Sequence, residues 1–256
     1  MVEHDLGRQE QLLGFCFDGT GYGSDGTLWG GETMLADYSS YQRLAHLSPM
    51  PIVGGDSALR SPYRLALTYL WACSLDPEGL PCSHACPQAE AQVLQRQWQL
   101  GRFVSTSSVG RLFDAVASII GVCQKVTFEG QAAMLLEACA DWQESGAYEF
   151  DARWQVAELL AQVVADVRRG LDKGCISARF HRALARAVTY QAELLGADRV
   201  GLSGGVFQNR LLLERTVSEL EQARVKVLWH QRVPTNDGGL ALGQIAVAGT
   251  GDLFTG

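Results

Sequence analysis

The 256-residue sequence predicts an α/β protein, α+β in part, on three observations. Short apolar runs near the start are separated by Gly- and Asp-rich turn chemistry, the signature of a β-hairpin. A long middle stretch repeats its apolar residues every three or four positions, as amphipathic helices do. The final stretch alternates β-branched runs with helical ones, which implies a small parallel sheet with helices packed on it.

The first extended run is Leu12-Leu13-Gly14-Phe15-Cys16-Phe17, and Thr27-Leu28-Trp29 is the second. Asp18-Gly19-Thr20-Gly21 and Ser24-Asp25-Gly26 separate them, and the sequence to Tyr38 can complete a meander. Over 57–74 the pattern turns helical, with Leu59, Tyr63, Ala66, Leu67, Leu70 and Trp71 in register. Segment 76–87 holds Pro77, Pro81, Pro87 and Gly79 and reads as a loop. Helices are then expected over 88–99, 107–121, 130–145, 152–171 and 177–195, with Ser107-Ser108 and Ser177 as N-caps. Beyond Gly196 come a strand at 199–202, a helix at 208–223, a strand at 225–229 and a last helix at 239–248. No internal repeat or low-complexity stretch interrupts this order.

At 47% hydrophobic and 19% charged, the chain can bury a sizeable core. A net charge of −7, with basic runs no longer than pairs such as Arg168-Arg169, argues against nucleic acid as a partner. No apolar run approaches the roughly 20 residues of a membrane span, and the polar, acidic start is unlike a signal peptide. The expected location is cytoplasmic, where the seven scattered cysteines serve mostly as small buried hydrophobes.

Five constellations carry chemistry. Asp18-Gly19-Thr20-Gly21-Tyr22-Gly23 is either a plain hairpin turn or an anion cradle of backbone N–H groups with a hydroxyl from Thr20. Ser203-Gly204-Gly205-Val206-Phe207-Gln208-Asn209 joins a strand to a helix. It is either an ordinary turn or a nucleotide position at the strand's carboxyl end. In Asn236-Asp237-Gly238-Gly239, Asp237 is either a helix N-cap or a carboxylate metal ligand. Cys82-Ser83-His84-Ala85-Cys86 invites a zinc reading, but no second cluster completes four ligands, so it reads as a cysteine-bearing loop. Arg111 and Asp114 are spaced for a local surface ion pair, and with Glu129-Gly130 they bracket one helix.

Taken in order, the segments FDGTGYGSDGTLWGGE, SSVGRLFDAVA, FEGQAA, SGGVFQN and NDGGLALGQ resemble the signature segments of HypF carbamoyltransferases. The likeness is to the carboxy-terminal part of their TsaD-like domain, and it runs over essentially the whole chain. The resemblance implies the second lobe of an actin/hexokinase/Hsp70-like ATPase fold, with an N-terminal β-hairpin, a helical middle and a parallel β/α tail. It implies carbamoyl transfer from carbamoyl adenylate, made elsewhere from ATP and carbamoyl phosphate, to the C-terminal cysteine of a HypE-like acceptor. That reaction belongs to cyanide-ligand maturation of nickel–iron hydrogenases. By motif match Asp18, Gly19 and Thr20 would stand at the phosphate and carbamoyl end, with Glu32 in the same segment also binding the cofactor. Asp114, Glu129 and Gly130 would hold the ribose or base, Gly204, Gly205 and Asn209 the adenosine side, and Asp237 a divalent metal, zinc or iron.

Complete members carry upstream domains and a first lobe with an H-x-x-x-H metal motif, which this sequence lacks. Val2-Glu3-His4 resembles the residues that follow that motif, so residues 1–256 are expected to be the carboxy-terminal portion of such a domain. No metal role carries over to His4, whose spacing does not match, and His46, His84, His181 and His230 lie in no matching segment. The expectation is an incomplete enzyme whose last helix lacks cover and which joins a first-lobe polypeptide or self-associates. The other readings are a TsaD-like lobe acting on tRNA, a non-catalytic nucleotide-binding or assembly module, and a remnant that keeps only the fold.

Overall fold

The computed structural model describes residues 1–150 and 153–249. Strands β1 (Leu12–Tyr22) and β2 (Leu28–Ala36) form the expected hairpin, β3 (Tyr41–His46) extends it beside β2, and β4 (Met50–Ile52) lies at the edge of the same sheet. The helical middle comprises α1 (Asp56–Leu59), α2 (Pro62–Ala72), α3 (Pro81–Ala85) and α4 (Gln88–Gln99). After β5 (Val104–Thr106) it continues with α5 (Val109–Ile119), α6 (Gln131–Ala138), α7 (Val156–Arg168) and α8 (Lys173–Leu194). The tail is β6 (Arg199–Ser203), α9 (Arg210–Gln222), β7 (Lys226–Trp229) and α10 (Leu240–Ala248).

The hairpin and the tail share one mixed seven-stranded sheet, where the sequence suggested a separate small parallel one. The strand path is β4-β5-β2-β1-β6-β7, with β3 beside β2. β1 pairs antiparallel with β2 and parallel with β6, and β6 runs parallel to β7. The carboxyl ends of β1, β6 and β7 therefore lie side by side, where ligands bind in open α/β sheets.

Alternation along β1 separates the two faces. Leu13, Phe15 and Phe17 are buried in the main core. Phe17 packs edge-on to Trp154 and stacks on Phe207, with centroids 5.5 and 5.0 Å away. Leu12, Gly14 and Cys16, joined by Gly201 of β6, line a cleft of about 860 Å³ beneath α10. No residue of α10 is buried, and Leu240, Ile245 and Val247 are exposed.

Several boundaries depart from expectation for local reasons. The 57–74 helix divides at Ser61-Pro62, because proline starts α2 and disfavours helix before it. The 76–87 loop contains the single turn α3, begun by Pro81. The 130–145 helix stops at Ala138, and the start of the 152–171 helix at Ala152 lies outside the described residues. Ser177 is no N-cap: it is buried inside α8, where its hydroxyl donates to the Leu136 carbonyl at 2.5 Å. Asp172 caps that helix instead, accepting from Gly174 N–H at 2.8 Å. No described helix is long and apolar enough to cross a membrane.

Candidate active site

The hairpin register shifts between Phe17 and Gly21, so Asp18-Gly19-Thr20 form a bulge. A bulge bends the strand and re-aims its side chains. This one is clasped to the start of α5: the Ser108 hydroxyl lies 2.6 Å from the Asp18 carbonyl and 2.7 Å from that of Gly19. The same oxygen accepts from Arg111 N–H at 3.1 Å and so caps α5, as the sequence predicted. The close approach needs glycine. A methyl at Gly30, whose φ is 155°, would overlap the Asp18 carbonyl, and one at Gly110 would lie 2.8 Å from the Gly19 Cα.

Arg111 and Asp114 pair at 3.0 Å, but not on the surface. Their side chains are only 7% and 6% exposed, because α5 is buried along its whole length beneath the sheet. Burial pushes the Asp114 carboxyl up to about 6, against the pull of Arg111 and helped by the charge of Glu129. Arg111 also leans over Gly19, where a side-chain methyl would lie 2.8 Å from Nη2 and 3.5 Å from a Glu129 oxygen. Arg111, Asp114 and Glu129 thus form one charged cluster beside Gly19, whose N–H donates to the Asp18 carboxylate at 2.7 Å. Gly130 enters α6 with φ 77°, a conformation suited to glycine, and Thr20 and Glu129 are exposed.

The second glycine turn lies on the other side of Asp18. Gly204 has φ 99°, and a side chain there would overlap the Phe17 carbonyl. Its N–H donates to the Thr235 carbonyl at 3.0 Å, and the Thr235 hydroxyl returns a bond to the Gly204 carbonyl at 3.1 Å. A methyl on Gly205 would stand 3.2 Å from an Asp18 carboxylate oxygen and 3.7 Å from the Asn236 Cβ. Asp18, Gly204, Asn236 and Asp237 all line the cleft. Asp237 is exposed and is not the N-cap; Asn236 fills that place by accepting from Gly238 N–H at 3.0 Å.

Two of the site candidates are engaged inside the fold. Buried Glu32 accepts from the N–H groups of Gly30 and Gly31 at 2.6 and 2.8 Å, from Arg43 at 3.0 Å, and from the Ser107 hydroxyl. Asn209 caps α9 through Oδ1, which accepts from Leu212 N–H at 2.8 Å, and its Nδ2 donates to His181 at 2.9 Å. His181 Nδ1 lies 2.7 Å from the Ser177 carbonyl, so Nδ1 carries the proton and Nε2 accepts from Asn209. Burial holds His181 at about 4, neutral at physiological pH. Sequence reading gave Ser108 only as a cap and Arg111 only as a surface ion pair. It passed over His181 because its partner Asn209 is 28 positions away.

Cys82 and Cys86 are buried, and burial pushes their thiols up to about 12 and 11, away from the thiolates a metal needs. Among the described residues no group of three His, Cys, Asp or Glu side chains could hold a metal ion. Asp237 and Asp18, which both line the cleft, do not by themselves make up a metal site.

The fold and this site define a Kae1-like α/β lobe. Residues 14–244 match the family model described as "Carbamoyltransferase, Kae1-like Domain, second subdomain". The chain belongs to the HypF carbamoyltransferase family. It is 34% identical to the carbamoyltransferase HypF of Synechocystis sp., over 96% of this chain and 35% of that protein. It is 38% identical to that of Rhodobacter capsulatus, over 90% of this chain and 31% of that one. A crystal structure of full-length HypF in a phosphate- and nucleotide-bound form superposes with a TM-score of 0.90 at 36% identity. That match covers 100% of this chain and 41% of the other. The chain therefore spans about a third of the length of these two curated relatives.

Proposed function

We propose that this chain carries the transfer half of a carbamoyltransferase. It binds carbamoyl adenylate, formed by other domains from ATP and carbamoyl phosphate, and passes the carbamoyl group to the C-terminal cysteine of a HypE-like acceptor in hydrogenase maturation. The observation that carries this reading is the clasped bulge Asp18-Gly19-Thr20, with Arg111 and Asp114 on one side and Gly204-Gly205 on the other. Such a site holds an anionic ester between glycine turns, where backbone can approach closely, and a guanidinium. The nucleotide-bound state of the full-length relative supports the choice of ligand.

Within this reading Arg111 offsets charge on the phosphate, and Glu129 and Gly130 border the sugar. Glu32 and Asn209 shape the site from behind, through Gly30-Gly31 and α9. The acceptor thiolate is the nucleophile, so the chain needs no nucleophilic cysteine of its own. Cys16, in the cleft, is a poor one, since burial beside Glu32 and Asp18 pushes its thiol up to about 12. Asp237 contributes one carboxylate toward a zinc or iron site whose remaining ligands come from a first-lobe polypeptide; that lobe would also cover α10.

The test is a titration with AMP and a stable carbamoyl-adenylate analogue, on the chain alone and with the first-lobe segment of a full-length relative added. Saturable binding on adding the lobe, lost in Gly205→Val, is expected. Binding by neither form overturns the site.

A further inference from the structure

The carboxyl ends of β6 and β7 place three more side chains in the same cleft. Ser203 closes β6 and His230 follows β7; the pairing of Leu202 with Trp229 makes them neighbours. Ser203 Oγ lies 3.2 Å from His230 Nε2, and His230 Nδ1 lies 3.4 Å from Glu3 Oε2. Glu3 is held from its other oxygen, which accepts from the N–H groups of Gln231 and Arg232 at 2.8 and 2.5 Å. The next residue reinforces this, His4 Nε2 lying 3.0 Å from the Trp229 carbonyl. The Glu3 side chain is only 7% exposed, and neither Glu3 Oε2 nor His230 Nδ1 makes a hydrogen bond.

These neighbours fix the direction of proton flow. A carboxylate only accepts, so the imidazole turns Nδ1–H toward Glu3 and its Nε2 lone pair toward the Ser203 hydroxyl. Acid, imidazole and hydroxyl then stand in the order that general-base catalysis uses. The 3.4 Å gap is longer than a good hydrogen bond, and a small movement of the imidazole closes it.

We propose that Glu3, His230 and Ser203 form a proton relay that takes the proton from the acceptor thiol during transfer, with Ser203 as the group that meets the thiol. The inference rests on the carbamoyl-transfer reading and adds the base that reading lacks. The thiol proton passes to Ser203 Oγ as the Ser203 proton passes to His230 Nε2. The S–C bond forms at the carbamoyl carbon, and the C–O bond to the phosphate breaks, its electron pair leaving with AMP. Glu3 stabilises the imidazolium until the proton is lost to solvent.

The charged and titratable groups around His230 are Glu3, His4 and the Met1 amino group. Burial lowers the His230 pKa, Glu3 opposes this and the amino group adds to it, so the ring is in its base form at neutral pH. The rate should therefore fall as pH drops through the His230 pKa.

The test measures AMP release from carbamoyl adenylate by the full chain, alone and with the added first lobe. One acceptor is an alkyl thiol, protonated at neutral pH; the other is an electron-poor aryl thiol, already ionised. His230→Gln should lose about 100-fold with the alkyl thiol, the scale of general-base catalysis, and lose its acid limb. With the aryl thiol it should match the unaltered chain. Ser203→Ala should repeat this selective loss, and Glu3→Gln should give a smaller one. Equal losses with both thiols, or none, overturn the relay and leave the transfer reading standing. No release by the unaltered chain in either form overturns both.

Discussion

Along β1, neighbouring residues meet two different surroundings. Phe15 and Phe17 sit fully buried against Trp154, whereas Gly14 and Cys16, one position away, line the cleft under α10. The first face is covered by buried helices; the second has small residues and the apolar helix α10, of which no residue is buried. Folding stability should reside in the first face, and the second is left for binding.

Mutations can break or sharpen that contrast. Phe17→Ala should cost about 3–5 kcal/mol in denaturant unfolding, through lost burial and a cavity beside Trp154 and Phe207. Cys16→Ala, on the other face of the same strand, should cost less than about 1 kcal/mol. Similar losses at both positions would mean the cleft face is packed too. Gly204→Ala should cost about 3 kcal/mol, since it adds strain at positive φ and overlaps the Phe17 carbonyl. Gly205→Ala should fold normally, as its methyl meets only Asp18 and Asn236, and should weaken adenylate binding.

Asp114 gives a pH test of the buried half of the site. Its pKa is raised in the folded state, so its protonated form favours folding. That contribution is complete below pH 4 or so and is lost as pH rises through about 6. Stability should fall by about 2–3 kcal/mol across that window, and Asp114→Asn should remove this part of the slope. Urea melts at pH 4, 5, 6 and 7 measure it. A modest change is expected for Ser108→Ala, about 1 kcal/mol from the lost cap. Its loss of adenylate affinity should exceed what that figure suggests, because Ser108 also holds the bulge.

Much of the architecture was legible because local chemistry dictates it. Gly-Asp turns announced the hairpin, periodicity announced the helices, and Ser108 and the glycine turns sat where strand and helix ends need them. The failures were long-range. Whether Arg111-Asp114 is a surface pair or a buried one depends on what lies over α5, and nothing within three positions records that. Ser177 looks like a cap in sequence, yet it lies inside a helix that Asp172 had already begun.

By itself the sequence determined the hairpin, most of the helices, the β/α tail and the family, since these follow from short-range sterics and from residue patterns along the chain; it did not show β3, β4 or β5. Only the tertiary structure decided that hairpin and tail share one sheet, because strand pairing joins residues far apart in the chain. It alone brought Asp18 beside Gly205, Asn209 to His181, and Glu3 within reach of His230 from the other end of the chain. Burial, which sets whether a charge is costly or cheap, is likewise a property of what the fold places around a residue.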